Sequence, residues 1–205
     1  MLVSICMATY NGGKFIREQV DSILNQEFTE NEGVEIELVV SDDGSTDDTI
    51  QILESYHDPR IKIFMHQNKK EHKYLNANRK ASENFENALM KAKGDYLFFS
   101  DQDDVWMPWK LDKSLSVLRK FGGIVATAFE VGDERLQVMG KVVYNHHAPF
   151  FSFKDQLGCY GFSMGICRDE LKYILPIPSM VAGHDKYIQY SAMWRKRLHF
   201  IDEPC

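Results

Sequence analysis

The feature that most constrains this sequence is a repeating unit: a short apolar run, a polar turn, then apolar residues at helical spacing. Val3–Ala8 is such a run; Thr9-Tyr10-Asn11-Gly12-Gly13 follows it, and Phe15, Ile16, Val20, Ile23 and Leu24 then form a helical stripe. Ile36–Val40 is almost continuously apolar, as a strand buried on both faces is. SDDGSTDDT follows it and leads into a stripe of Ile50, Leu53 and Tyr56. Ile61–Met65 is a third strand and Tyr96–Phe99 a fourth. Between them Phe85, Ala88, Leu89 and Ala92 mark a helix expected to stop at Gly94 as a C-terminal glycine. The string β-α-β-α-β-α-β predicts an α/β fold: a doubly wound, mainly parallel sheet with helices on both faces and right-handed crossovers.

After about residue 122 the rhythm changes. Ile124–Phe129, Gln137–Tyr144, Gly161–Cys167 and Leu198–Ile201 read as strands, Asp169–Leu175 and Asp185–Trp194 as short helices. This half reads as a mixed extension of the same sheet, so residues 1–205 are expected to form one domain. The sequence has no internal repeat, low-complexity tract or linker. A chain that runs to Ile-Asp-Glu-Pro-Cys205 without a helix-end or turn signal is expected to be C-terminally truncated.

Composition narrows the function classes. With 24 Lys+Arg against 30 Asp+Glu the chain carries a net charge of −6, so the basic face of a nucleic-acid binder is not expected. No apolar run reaches the ~18–20 residues that a bilayer requires. The N-terminus MLVSICMATYNGG lacks the basic region and cleavage site of a signal peptide. The expectation is a cytoplasmic domain whose Cys6, Cys159, Cys167 and Cys205 are reduced thiols without metal-ligand spacing. His66–Lys80 gathers Lys69, Lys70, Lys73, Arg79 and Lys80 against Glu71. It reads either as a solvated loop entering a helix or as a mobile basic flap over a bound anion.

In open α/β sheets ligands bind at the carboxyl ends of the strands, where three polar clusters of this sequence fall. They are Thr9–Gly13, Asp42–Ser45 and Asp101–Asp104. Asp101 and Asp103, at i and i+2 past a buried strand, can turn toward one hard cation, Mg²⁺ or Mn²⁺, with positions left open for phosphate oxygens. Acids ahead of a helix starting near Pro108 would also suit its dipole, but three acids in four residues exceed what a helix start needs. SDDGSTDDT is not an EF-hand: its glycine stands directly after Asp43 and no Glu closes a loop. Ser45, Thr46 and Asp47 read as helix caps, whereas Asp43 can accept hydrogen bonds from a nucleobase edge. TYNGG matches neither a P-loop nor GxGxxG.

SICMATYNGGKFIREQVDSILNQ, VVSDDGSTDDT and GDYLFFSDQDDVWMPWKL, in this order over residues 3 to about 112, resemble the successive motifs of the family 2 inverting nucleotide-sugar glycosyltransferases, which have the GT-A fold. DQDDVW and the later GHDKYI are most similar to the rhamnosyltransferase-like branch of surface-polysaccharide and O-antigen synthesis, often acting on dTDP-rhamnose. The resemblance implies a nucleotide-binding half at residues 1–112 and an acceptor-side half at 113–205. Thr9, Tyr10 and Asn11 then lie beside the nucleotide and Asp43 at the base. Asn84 matches an Asn that opens the helix before the fourth strand. Asp101 and Asp103 form the DxD pair, Asp103 as direct metal ligand and Asp101 nearer the ribose or a metal-bound water, and Asp185 is the catalytic base. It further implies a UDP- or dTDP-sugar donor, Mg²⁺ or Mn²⁺, a saccharide or lipid-linked saccharide acceptor, and peripheral contact with the inner membrane face. Relatives usually continue past IDEPC with a Tyr-Arg and His-containing segment.

Two other functions compete. A sugar-phosphate nucleotidyltransferase needs a Gly-rich N-terminal loop ending in basic residues, which TYNGGK only faintly echoes. A non-catalytic nucleotide-sugar binding module is disfavoured by the presence of Asp103 and Asp185. His146-His147 point apart and read as loop residues. Trp106 and Trp109 read as helix anchors or sugar platforms, and His184 as structural or as orienting Asp185. Tyr160–Gly165 is either an acceptor lining or a buried strand, and Trp194 with Arg195-Lys196-Arg197 a solvated turn or a membrane-surface patch.

Overall fold

The structure is a computed structural model that describes residues 1–29, 33–66, 77–144, 159–181 and 183–205. Its first half runs β1 (Leu2–Thr9), α1 (Ile16–Leu24), β2 (Glu35–Asp42), α2 (Thr49–Ser55), β3 (Ile61–Met65), α3 (Ala77–Lys91) and β4 (Tyr96–Ser100). The second half adds α4 (Lys110–Phe121), β5 (Ile124–Gly132), β6 (Val138–Val142), β7 (Met164–Cys167), α5 (Leu171–Ile174), α6 (His184–Trp194) and β8 (Leu198–Pro204).

The strands form one sheet in the order β3-β2-β1-β4-β7-β5-β6, with β8 also paired to β5. β1, β2, β3 and β4 are parallel, whereas β7 runs antiparallel to both β4 and β5. The sheet is therefore mixed. Strand parity explains its two helical layers, because successive side chains point to opposite faces. Val3, Ile5 and Met7 of β1, Leu38 and Val40 of β2, Phe98 of β4 and Val125 of β5 share a core with Ile16, Val20 and Ile23 of α1, Leu53 of α2 and Leu111, Leu115 and Leu118 of α4. The alternate residues Cys6, Val39, Leu97, Phe99, Ile124 and Ala126 pack on Phe85, Ala88 and Leu89 of α3, Ile174 of α5, and Ile188 and Ala192 of α6. Strands buried on both faces are what a sheet covered on both sides requires.

Several local expectations are corrected. Gly94 does not end α3, whose last residue is Lys91. Gly94 instead abuts β1: its N–H donates to Ser4 Oγ at 2.7 Å, and a Cβ there would stand 2.6 Å from the Ser4 backbone nitrogen. Asn84 does not open α3 but lies in its middle, since the helix begins at Ala77. Gly161–Cys167 is not one strand: Gly161–Ser163 is a 3₁₀ turn, and only Met164–Cys167 pairs into the sheet. The helix expected at Asp169–Leu175 is a 3₁₀ turn, Arg168–Glu170, followed by the single turn of α5. Arg195 and Arg197 both bond the carboxylate of buried Glu170. Trp106 is core, edge-on to Phe98, and Trp109 anchors α4 by donating its Nε1–H to Pro204 O at 3.0 Å. The four cysteines are free. Among the described residues no helix is long and apolar enough to cross a membrane. Lys69, Lys70, Lys73, His146 and His147 lie outside the described residues.

Candidate active site

The polar ends of β1, β2 and β4 meet at one edge of the sheet, as parallel register requires: Thr9 pairs with Asp42, and Met7 with Ser100. Thr9 and Asp42 are both buried, and Thr9 Oγ1 donates to Asp42 Oδ2 at 2.8 Å. Asp42 also accepts the N–H groups of Gly44 and Ser45 at 3.0 and 2.8 Å and the Ser45 hydroxyl. It therefore shapes the turn that follows β2. Its neighbour Asp43 is tied by its N–H to Thr9 O at 2.9 Å and lines a cleft of about 570 Å³.

That cleft is bounded by Ala8, Thr9 and Tyr10 after β1, Asp43 and Gly44 after β2, Lys80, Ala81, Asn84 and Phe85 of α3, and Asp101, Gln102 and Asp103 after β4. Asn84, buried in α3, donates to Thr9 O at 3.1 Å and accepts from Ser41 Oγ at 2.5 Å, joining the ends of β1 and β2 to the cleft wall. Tyr10 is more than half exposed at the rim. Asn11 turns to the second loop: its N–H donates to Ser45 Oγ at 2.8 Å and its Oδ1 accepts from Thr46 N at 2.8 Å. Of the basic stretch, Lys80 reaches the cleft, whereas Arg79 is buried and bonds Glu83, Pro178 O and Ile177 O.

The acidic loop is braced from two sides. Gln102 donates to Tyr10 O at 3.1 Å and accepts from Tyr10 N at 2.8 Å; a Cβ on Gly12 would stand 2.4 Å from Gln102 Oε1, so the fit demands glycine. From α1, buried Gln19 donates to Ser100 Oγ at 2.7 Å. Burial pushes the Asp101 carboxyl up to about 7, helped by the charges of Asp104, Asp103 and Asp185. Asp185, in the first turn of α6, is thus close enough for its charge to act on Asp101. Burial and Asp103 likewise raise Asp104 to about 6, against the opposing charge of Lys110.

This donor set fits a hard divalent cation. It offers carboxylate oxygens, and the charges acting on Asp101 are those of Asp104, Asp103 and Asp185, all acidic. Among the described residues no three His, Cys, Asp or Glu side chains are arranged as a closed metal site. An ion held by one or two carboxylates, with the remaining positions left to phosphate oxygens, is how Mg²⁺ binds phosphorylated substrates.

On the other side of Asp103 lies a second cleft of about 500 Å³, lined among others by Asp104, Trp106, Lys110, Phe129 and Phe162. Phe162 thus lines a cleft, while Met164 and Gly165 are buried in β7. Gln19 was not expected at the site, whereas Asp42 and Gln102 fell inside two of the three polar clusters and Lys80 inside the basic stretch, none with a role of its own. Asp42 carried a signal for its turn, standing two and three residues before the N–H groups of a Gly-Ser turn.

The sequence profile described as glycosyl transferase family 2 matches residues 4–174. The putative glycosyltransferase EpsE of Bacillus subtilis is 33% identical over 137 residues, which cover 64% of this chain and 44% of that protein. Among solved structures, TarS 1-349 of S. aureus superposes with a TM-score of 0.72 at 20% identity, covering 100% of this chain and 59% of that one. It has also been solved in complex with UDP and with UDP-GlcNAc. The mannosyltransferase PcManGT of Pyrobaculum calidifontis, solved with GDP-Man and Mn²⁺, gives 0.65 at 19% identity, covering 99% and 54%. The chain spans less than half the length of the curated relatives it matches.

Proposed function

The chain belongs to glycosyl transferase family 2 and has its GT-A-type fold, and from that premise we propose that it transfers a sugar from a nucleoside-diphosphate donor to a hydroxyl of a saccharide or lipid-linked saccharide, with inversion. The observation that carries this reading is the convergence of Asp43, Asp101 and Asp103 on one cleft, with the charge of Asp185 acting on Asp101. The nucleotides bound by TarS and PcManGT support it.

The nucleoside lies between Tyr10 and α3, where Asp43 accepts from the base and Lys80 faces the diphosphate side. Mg²⁺ or Mn²⁺, held by Asp103 with Asp101 behind it, supplies Lewis-acid neutralisation of the leaving diphosphate when bound. Asp185 takes the proton of the acceptor hydroxyl as the new glycosidic bond forms, because a hydroxyl is a poor nucleophile until a base in hydrogen-bond reach relieves it. One carboxylate on the face opposite the leaving group gives a single displacement, hence inversion. In this reading residues 1–112 hold the donor and 113–205 face the acceptor. The similarity of DQDDVW and GHDKYI to the rhamnosyltransferase-like branch favours a dTDP- or UDP-hexose donor, with surface-polysaccharide or O-antigen assembly at the inner membrane face as the setting.

The test is incubation of the protein with a panel of nucleotide-sugars and Mn²⁺, reading nucleoside diphosphate release. Release from one donor, lost with EDTA and in Asp185→Asn, is the expected result. Pyrophosphate exchange would indicate a nucleotidyltransferase, and binding of donor without release a non-catalytic module.

A further inference from the structure

Helix α6 is joined to the donor-binding half by its first residue. His184 is 8% exposed, and its ring lies 4.5 Å from that of Phe85 in α3 and 5.7 Å from that of Phe99 in β4, stacked on the latter. Both walls are fully buried and cannot yield without disturbing the core. The His184 backbone N–H donates to Ser82 Oγ at 3.0 Å, and Nδ1 is 3.4 Å from the same oxygen. Ser82 gives its own proton to Asn78 O at 2.8 Å, so the contact with the imidazole is made by Nδ1–H as donor. Burial pushes the imidazole below its ordinary value, against the charge of Asp185, which favours the neutral ring. Nε2 is buried without a hydrogen-bond partner among the described residues.

The third wall of the slot is Gly161. A Cβ there would stand 2.5 Å from His184 Nε2, and the next nearest atoms, at 3.4 and 3.6 Å, also belong to that ring. Gly161 is not among the glycines of positive φ, so the close approach of the ring is the observed demand for glycine there. A methyl at 161 therefore pushes first on His184, and through it on the first turn of α6, which carries Asp185.

We propose that His184, wedged between α3, β4 and the Gly161 turn, is the positioning residue that sets the carboxylate of Asp185 relative to Asp101 at the end of β4. The proposal rests on the reading of Asp185 as general base. It gives the first residue of the His-Asp pair a mechanical task, and it makes Gly161 a determinant of turnover although Gly161 touches no substrate. Sub-ångström to one-ångström displacement of a catalytic group is enough to slow a reaction about 10- to 100-fold while ground-state binding elsewhere is untouched.

The experiment measures kcat for nucleoside diphosphate release, and donor affinity by titration, for Gly161→Ala, His184→Ala, the double variant, Ser82→Ala and Asp185→Asn in the full chain. Gly161→Ala is expected to lower kcat about tenfold or more with donor affinity within about twofold of wild type. Once the ring is absent, in His184→Ala, adding Gly161→Ala is expected to cost nothing further. Ser82→Ala, which removes only the hydroxyl that receives the His184 N–H, carries the test if His184→Ala does not fold: a loss in kcat of about threefold or more at unchanged donor affinity supports the role, and unchanged kcat overturns it. Equal losses from Gly161→Ala with and without the ring overturn the proposal, as does wild-type kcat in Gly161→Ala while Asp185→Asn is inactive. Wild-type turnover in Asp185→Asn would overturn the base reading and the positioning role with it.

Discussion

The side-chain amide of Gln102 is bonded in both directions to the backbone of Tyr10, donating to its carbonyl at 3.1 Å and accepting from its N–H at 2.8 Å. This pair fastens the loop after β1, which lines the cleft, to the loop that carries Asp101 and Asp103. The geometry is open to Gln102 only because Gly12 leaves room for it. Gln102→Ala should therefore uncouple the loops and weaken Mn²⁺-dependent nucleotide binding by about 1–2 kcal/mol. The thermal midpoint should hardly move, because the pair sits at an exposed rim. Titration with UDP or dTDP, with and without Mn²⁺, checks this.

Asp43 lines the cleft, whereas Asp42 is committed to the turn. The two neighbouring aspartates should therefore fail differently. Asp43→Ala should weaken nucleotide binding by about 1–3 kcal/mol, the cost of a base donor left unpaired. Asp42→Ala should lower stability by a similar amount, since it strands the Thr9 and Ser45 hydroxyls and two N–H groups. Nucleotide titration and thermal melting of the two variants separate these effects.

Between β1 and β2, buried Glu37 accepts from Ser4 Oγ and Lys93 N, both at 2.6 Å, and from Lys62. Burial alone would raise its carboxyl, but the bonds from Lys62, Ser4 and Lys93 outweigh it and hold the group below the ordinary carboxylate value. A carboxyl depressed on folding contributes stability that is fully present above its unfolded value and is lost as pH falls through the folded one. Melting temperature should therefore drop on acidification below the ordinary Glu range. Glu37→Gln should cost about 1–3 kcal/mol near neutrality and flatten that acid limb.

The βα half of the fold was legible because its strands are buried on both faces. Val3, Ile5 and Met7 go to one helical layer and Cys6 to the other, and apolar runs of that kind identify themselves. Parity carries further: Thr9 and Asp42 continue the series Met7 and Val40 and bond each other, while Asp43, one step past β2, lines the cleft with Ala8 and Thr9. What sequence could not yield were contacts between distant segments. Gly94 reads as a helix end, yet it is glycine because Ser4 of β1 lies against it. The resemblance puts Asn84 at a helix start, whereas α3 begins at Ala77 and carries Asn84 in its middle. The task of Arg195 and Arg197 depends on Glu170, a partner 25 and 27 residues away.

Calorimetric titration of UDP and dTDP into the wild-type chain and Asp103→Asn, each with Mn²⁺ and with EDTA, tests the central claim most directly. If the cleft after β1, β2 and β4 is a donor site completed by a cation on Asp103, one of the nucleotides binds the wild type about tenfold or more tightly with Mn²⁺, and Asp103→Asn loses that gain while keeping the metal-free affinity. Equal affinity for both nucleotides with Mn²⁺ and with EDTA in the wild type, or a Mn²⁺ gain that survives in Asp103→Asn, would contradict it.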